Sequence, residues 1–226
     1  MSVMIINNNF RAFHFGIQLQ DFYNYIDTME GSIDSHISSL DSRFEEKSKD
    51  ITDPKIKEEF YDSYFSNRYY DLDTTYTLIL RKSIFFSLYF FMESELQAVA
   101  KTIEKKNLTN IKLNDIRHNG FRKYLFYIKT VNNININFSE NDINKFHKYN
   151  DLRNYFVHND STAIDPKKYN NLKTLPSLSF TKYSLNEVTK YLIDEIEKDF
   201  NKEYLDLISR FFDKLFEGIE DSDVSL

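Results

Sequence analysis

The chain has 226 residues, 41% of them hydrophobic, with 21 Phe and 16 Tyr, no Trp, and only 4 Gly and 3 Pro. So much core material with so few turn formers points to an all-α fold. A formal net charge of -6 excludes a protein that coats nucleic acid non-specifically while leaving room for a local basic groove, and the lack of Cys excludes disulfides, thiolate metal sites and a cysteine nucleophile.

The N-terminal stretch MSVMIINNNFRAFHFG lacks the basic start and apolar run of a signal peptide. From about Gly16 to Lys49, apolar residues at Ile17, Phe22, Ile26, Met29, Ile33, Ile37, Leu40 and Phe44 recur at helical spacing and predict one long amphipathic helix. Asp53-Pro54 supplies a cap and a first-turn proline, restarting a helix through KIKEEFYDSYFSNRYY. A third helix is expected from about Thr75 to Lys106. Its run SIFFSLYFFM (Ser83 to Met92) is far shorter than the roughly twenty apolar residues a membrane span needs, so it reads as a central, buried helix.

After KKNLTN, the segment LNDIRHNGFRKYLFYIKTVNNI predicts a shorter helix from Leu113 that ends in asparagines. Ser139 and Asp142 resemble a capping box. Ile143, Phe146, Tyr149, Leu152, Tyr155 and Phe156 follow at helical spacing, so DLRNYFVHND (Asp151 to Asp160) lies at that helix's C-terminal end. Residues 161 to 183 read as a loop with SLSF as a short strand. Ser184 with Glu187 resembles a second capping box, opening a last helix from Val188 through Phe216. The expected architecture is a bundle of four to five helices (74–226) with a long N-terminal helical extension (1–73), together one compact unit.

In a regular helix Asn154 and His158 lie about 40° apart, whereas Arg153 and His158 lie about 140° apart. Arginine and histidine therefore meet only if the helix loosens near His158 or if a second copy shares the cleft. The sequence LRNYFVHND resembles the Arg-Asn-x-x-x-His motif of the HEPN (higher eukaryotes and prokaryotes nucleotide-binding) superfamily, and LRKSIFFSLYFFMESELQAVA is similar to the apolar helix with an acidic residue that precedes the motif helix. The resemblance covers Thr74 to Glu217. It implies a metal-independent endoribonuclease without cofactors, a hydrolase-class RNA-binding homodimer of the cytoplasm. Such proteins act as toxins of toxin–antitoxin pairs or in antiphage defence, so an antitoxin or defence-system partner is implied as well.

By the same resemblance Arg153 and His158 are catalytic, Asn154 stands beside the arginine, and Glu93 or Glu95 is the acidic residue of the earlier helix. Asp160 is a further candidate at the site. It also marks a departure, because toxins of one HEPN branch carry tyrosine at that position. The chemistry suits the residue types: RNA brings its own 2′-hydroxyl nucleophile, histidine moves protons near neutral pH, and arginine stabilises phosphate charge. The residues also fit a plainer reading, a solvated arginine and a histidine whose charge favours a helix C-terminus. A catalytically inactive HEPN-like protein- or RNA-binding module is the alternative function. His118 and His147 could sit near an RNA groove, although packing or solvated roles are commoner. No spacing typical of metal ligands is present, so no metal is expected, and with no apolar run long enough for a span no membrane association is expected.

Overall fold

The computed structural model describes residues 8–106, 109–158, 163–185 and 188–222. The chain is mostly helical with one small sheet. In order, the elements are α1 (Asn8–Ser48), α2 (Pro54–Tyr64), α3 (Ser66–Tyr70), α4 (Thr77–Lys105), α5 (Gly120–Phe126), α6 (Glu140–His158), β1 (Ala163–Ile164), α7 (Pro166–Leu172), β2 (Leu178–Leu185), β3 (Val188–Ile196) and α8 (Phe200–Glu220). A π-helical segment, Asp71–Tyr76, joins α3 to α4, and another, Tyr127–Val131, extends α5. Among the described residues no helix is long and apolar enough to cross a membrane.

Two of the caps read from the sequence, at Asp53 and Ser139, are present. The Asp53 side chain accepts a hydrogen bond from the Lys55 amide ahead of Pro54, and Ser139 Oγ accepts one from the Asp142 amide at 3.1 Å. The helix expected from Leu113 starts later. Only a short 3-10 turn forms at Leu113–Asp115, and α5 begins at Gly120, whose φ of 57° belongs to the left-handed region. Between them residues 116–119 run without helix.

The last helix also starts later than its periodicity predicts. Residues from Val188 to Ile196 form β3, which pairs antiparallel with β2 from Leu185↔Val188 to Leu178↔Ile196. The register shifts between Ser179 and Phe180, whose partners Glu195 and Ile193 leave Asp194 as the extra residue of a bulge. Ile193 and Ile196 are therefore both buried although three apart. A spacing of three mimics a helix, and the β-branched and aromatic residues of the segment favour the strand. Ser184 lies in β2 rather than at a helix cap, and Glu187 is outside the described residues. The expected strand at SLSF is the start of β2. Within the expected loop, Asp165 and Pro166 also start α7.

Contacts divide the chain into two units, one comprising residues up to Phe22, Phe86–Ser161 and Lys202–Leu226, the other Tyr23–Phe85 and Thr162–Asn201. The expected division, residues 1–73 and 74–226 in one compact unit, groups the residues differently. Hydrogen bonding along a helix is local, so long helices such as α1 and α4 continue from one core into another. In the first unit Phe121, Phe138, Phe146, Tyr204 and Phe211 interlock, with Phe121 and Phe146 stacked at 4.9 Å and Tyr149 against Tyr204 at 4.1 Å.

In the second unit, Leu40, Phe65 and Leu72 form one cluster. The same unit buries an ion pair: Arg81 Nε and Nη2 donate to the two Glu30 carboxylate oxygens at 2.8 Å each, and Nη1 donates to the Ile196 carbonyl at 2.7 Å. Removing one partner from such a pair leaves a buried charge uncompensated. Glu30→Ala is expected to cost about 3–5 kcal/mol, read as a shift in urea denaturation. The double variant Glu30→Leu/Arg81→Met should cost less than Glu30→Ala alone.

Candidate functional site

A polar cleft of about 580 Å³ in the first unit is lined by Tyr89 and Glu93 of α4, by Arg117 to Gly120 and Arg122, and by Asn150, Asp151, Arg153 and Asn154 of α6. Three elements meet here for separate local reasons. α6 turns its apolar residues Ile143, Phe146, Tyr149, Leu152 and Tyr155 inward, which leaves its polar residues at the edge of the core. α4 is apolar nearly all round, so Glu93 is held half-buried among its neighbours. The turn at Gly120 brings the third wall in close: a Cβ there would lie 2.6 Å from Glu93 Oε1.

Arg153 is fixed from several sides. Its guanidinium lies over the rings of Tyr89 and Phe90, at 5.6 and 5.5 Å from their centroids, and Nη1 donates to Asn154 Oδ1 at 3.0 Å. Nε is buried with no hydrogen-bond partner among the described residues. Behind it, the Tyr89 hydroxyl donates to Asn150 Oδ1 at 2.7 Å. A guanidinium pinned by ring faces and an amide, with donor capacity left over, suits an incoming anion.

Burial pushes the Glu93 carboxyl above its ordinary value, and the nearby Arg153 charge offsets part of that. The same burial, reinforced by Glu93 and opposed by Arg153, pushes the Tyr89 hydroxyl up to about 12. Tyr124, which accepts a hydrogen bond from Gln97 Nε2 at 2.6 Å, is also raised, by burial and by Glu93. Burial thus disfavours the charged form of Glu93 relative to a solvated carboxyl. Arg117, Arg122 and Arg153 outweigh Glu93 and Asp151 along the lining.

Of the residues singled out by sequence, Arg153, Asn154 and Glu93 come together in this cleft. Glu95 points elsewhere and approaches Arg11 at 3.5 Å. α6 remains helical through His158, so no loosening of the chain brings His158 to Arg153. His158 is exposed and does not line the cleft. It does share a face of α6 with His147, Asp151 and Asn154, since spacings of four, three and four hold these residues within about 60°. Asp160 lies outside the described residues.

Arg117, Arg122 and Asn150 also line the site and were not assigned to it from the sequence, which named His118 only as a residue that could sit near an RNA groove. The adjacent Arg117-His118 pair before a lone glycine was the available signal. Among the described residues no group of three or more metal-ligating side chains gathers. No family model matches the chain, and no curated protein or solved structure is significantly similar to it.

A carboxyl whose folded-state pKa is raised carries stability that is complete below its unfolded value and is lost as pH rises through the folded one. Glu93→Gln is therefore expected to raise the melting temperature at pH 7, with the gain vanishing below about pH 4. Paired melting curves across that window test it. Gly120→Ala puts a Cβ into a left-handed residue and against Glu93, and should lose at least about 1–2 kcal/mol. Denaturation of that variant beside Gly16→Ala, which meets no atom within 4 Å, separates the strain from a general glycine effect.

Proposed function

We propose that the chain is a metal-independent endoribonuclease of HEPN type, working in the cytoplasm as a toxin or antiphage effector. One observation carries the reading: Arg153, the arginine of the RNYFVH motif, sits on two aromatic rings and Asn154 at the wall of a cation-rich cleft. A phosphodiester entering there meets a guanidinium whose orientation is already set, so charge stabilisation costs little reorganisation.

In the proposed reaction the 2′-hydroxyl attacks the adjacent phosphorus while a histidine accepts its proton. Arg153 stabilises the charged phosphorane. The bond from phosphorus to the 5′-oxygen then breaks, and a second histidine protonates that oxygen, leaving a 2′,3′-cyclic phosphate and a 5′-hydroxyl. His158 supplies both proton transfers when two copies associate, each bringing its exposed His158 to a shared site. Asn154 acts as a positioning residue by holding the Arg153 guanidinium.

The exposed place of His158, outside the lining of its own chain's cleft, favours a second reading: a catalytically inactive module that binds RNA, or a partner protein, at Arg153. The two are separated by incubating full-length protein with single-stranded RNA in the presence of chelator, with product ends and oligomer mass determined. The ribonuclease reading expects cleavage to cyclic phosphate ends, reduced about 10²–10³-fold in Arg153→Ala and lost in His158→Ala while the dimer persists. A folded, dimeric protein that leaves RNA intact would sink it. RNA binding that depends on Arg153 without cleavage would establish the second reading.

A further inference from the structure

A second opening of about 400 Å³ lies in the same unit, and His118 and Arg122 line both it and the Arg153 cleft. Its other walls include Phe126, Lys129 and His147, and no carboxylate lines it. For a chain with a net charge of -6, two adjoining openings lined by Arg117, Arg122, Arg153 and Lys129 concentrate cations in one place.

The side chains are arranged rather than merely gathered. Arg122 Nε donates to His147 Nδ1 of α6 at 3.3 Å, which uses one of its five donors. Among the described residues Arg122 has no carboxylate partner, and Lys129 meets only the exposed Glu140 at 3.5 Å. Phe126 is 37% exposed and meets the His118 ring edge-to-face at 5.3 Å. Burial and the Arg122 charge together keep His147 below its ordinary pKa, so it stays a neutral acceptor for Arg122. Asp151 and Glu140 oppose that shift.

We propose that this second opening is a subsite for the RNA nucleotide flanking the one bound at Arg153, with Arg122 and Lys129 on its phosphate and its base against the Phe126 ring, which His118 braces edge-to-face. The assignment rests on the RNA-cleaving reading of the neighbouring cleft. Phosphate contacts by cations and base stacking on aromatic rings are the two ingredients of single-strand binding, and here they lie side by side. Because the openings share Arg122 and His118, one strand can run through both without leaving the surface.

The test is binding of non-cleavable 2′-O-methyl RNA oligomers of two and six nucleotides to the full chain, by fluorescence anisotropy over a salt series. Wild type is expected to bind the longer oligomer at least about tenfold more tightly. Arg122→Ala/Lys129→Ala should abolish that gain and flatten the log affinity against log salt slope by about 0.7 per lost phosphate contact. Phe126→Tyr, which keeps a ring, should retain the gain, and circular dichroism reports that each variant is folded. A double variant that keeps the full length gain, or a wild type that shows none, overturns the subsite. Cleavage measured alongside keeps the two claims apart. RNA cut normally with no length-dependent binding removes the subsite alone, whereas length-dependent binding through Arg122 without cutting removes the ribonuclease and leaves the subsite.

Discussion

The first unit depends on the desolvation of one face of α6. Ile143, Phe146, Tyr149, Leu152 and Tyr155 are all buried, and the rings among them meet Phe121, Tyr204 and Phe211. Successive members are three residues apart, so the buried stripe turns back by about 60° at each step. The polar residues of the helix inherit that rotation. Asn150, Arg153 and Asn154 emerge at the margin of the core, wet enough to meet a ligand and buried enough to be held. Any change that weakens the aromatic seam would loosen the site along with the fold, since the same helix serves both.

Electrostatics follows from this placement. The chain as a whole is acidic, yet the lining of its main cleft carries more guanidinium than carboxylate. Burial pushes the Glu93 carboxyl above its ordinary value, and the Arg153 charge offsets part of that. Arg153 keeps its charge and spends its geometry on two ring faces and one amide. Such a site attracts anions locally, whereas the net charge discourages indiscriminate association with nucleic acid. In the second unit, charge is used differently: Arg81 is buried with Glu30 and a backbone carbonyl, where it fastens helices and a strand.

Local signals were legible where the physics is local. Asp53-Pro54 and Ser139 cap their helices as read, because a side-chain oxygen that satisfies a first-turn amide needs nothing distant. The misread segment, Val188 to Ile196, shows the limit of periodicity. A bulge at Asp194 buries Ile193 and Ile196 on one face, and only the pairing with β2 distinguishes that pattern from a helix. Glu93 and Glu95 were equivalent candidates on one helix two residues apart. Neighbouring elements separate them, one facing Arg153 and the other Arg11.

By itself the sequence determined a mostly helical protein, the caps at Asp53 and Ser139, the inward face of α6 and the presence of Arg153, Asn154 and His158 at its end. Composition, helical period and side-chain-to-backbone bonding within a few residues carry that information. Tertiary structure alone decided that Arg117, His118 and Arg122 join Arg153, and that His158 stays outside the same cleft. The first outcome needs the non-helical stretch before Gly120 to reach Glu93, a contact across many residues of chain. The second needs α6 to stay regular through its last turn, which angular geometry then converts into separation.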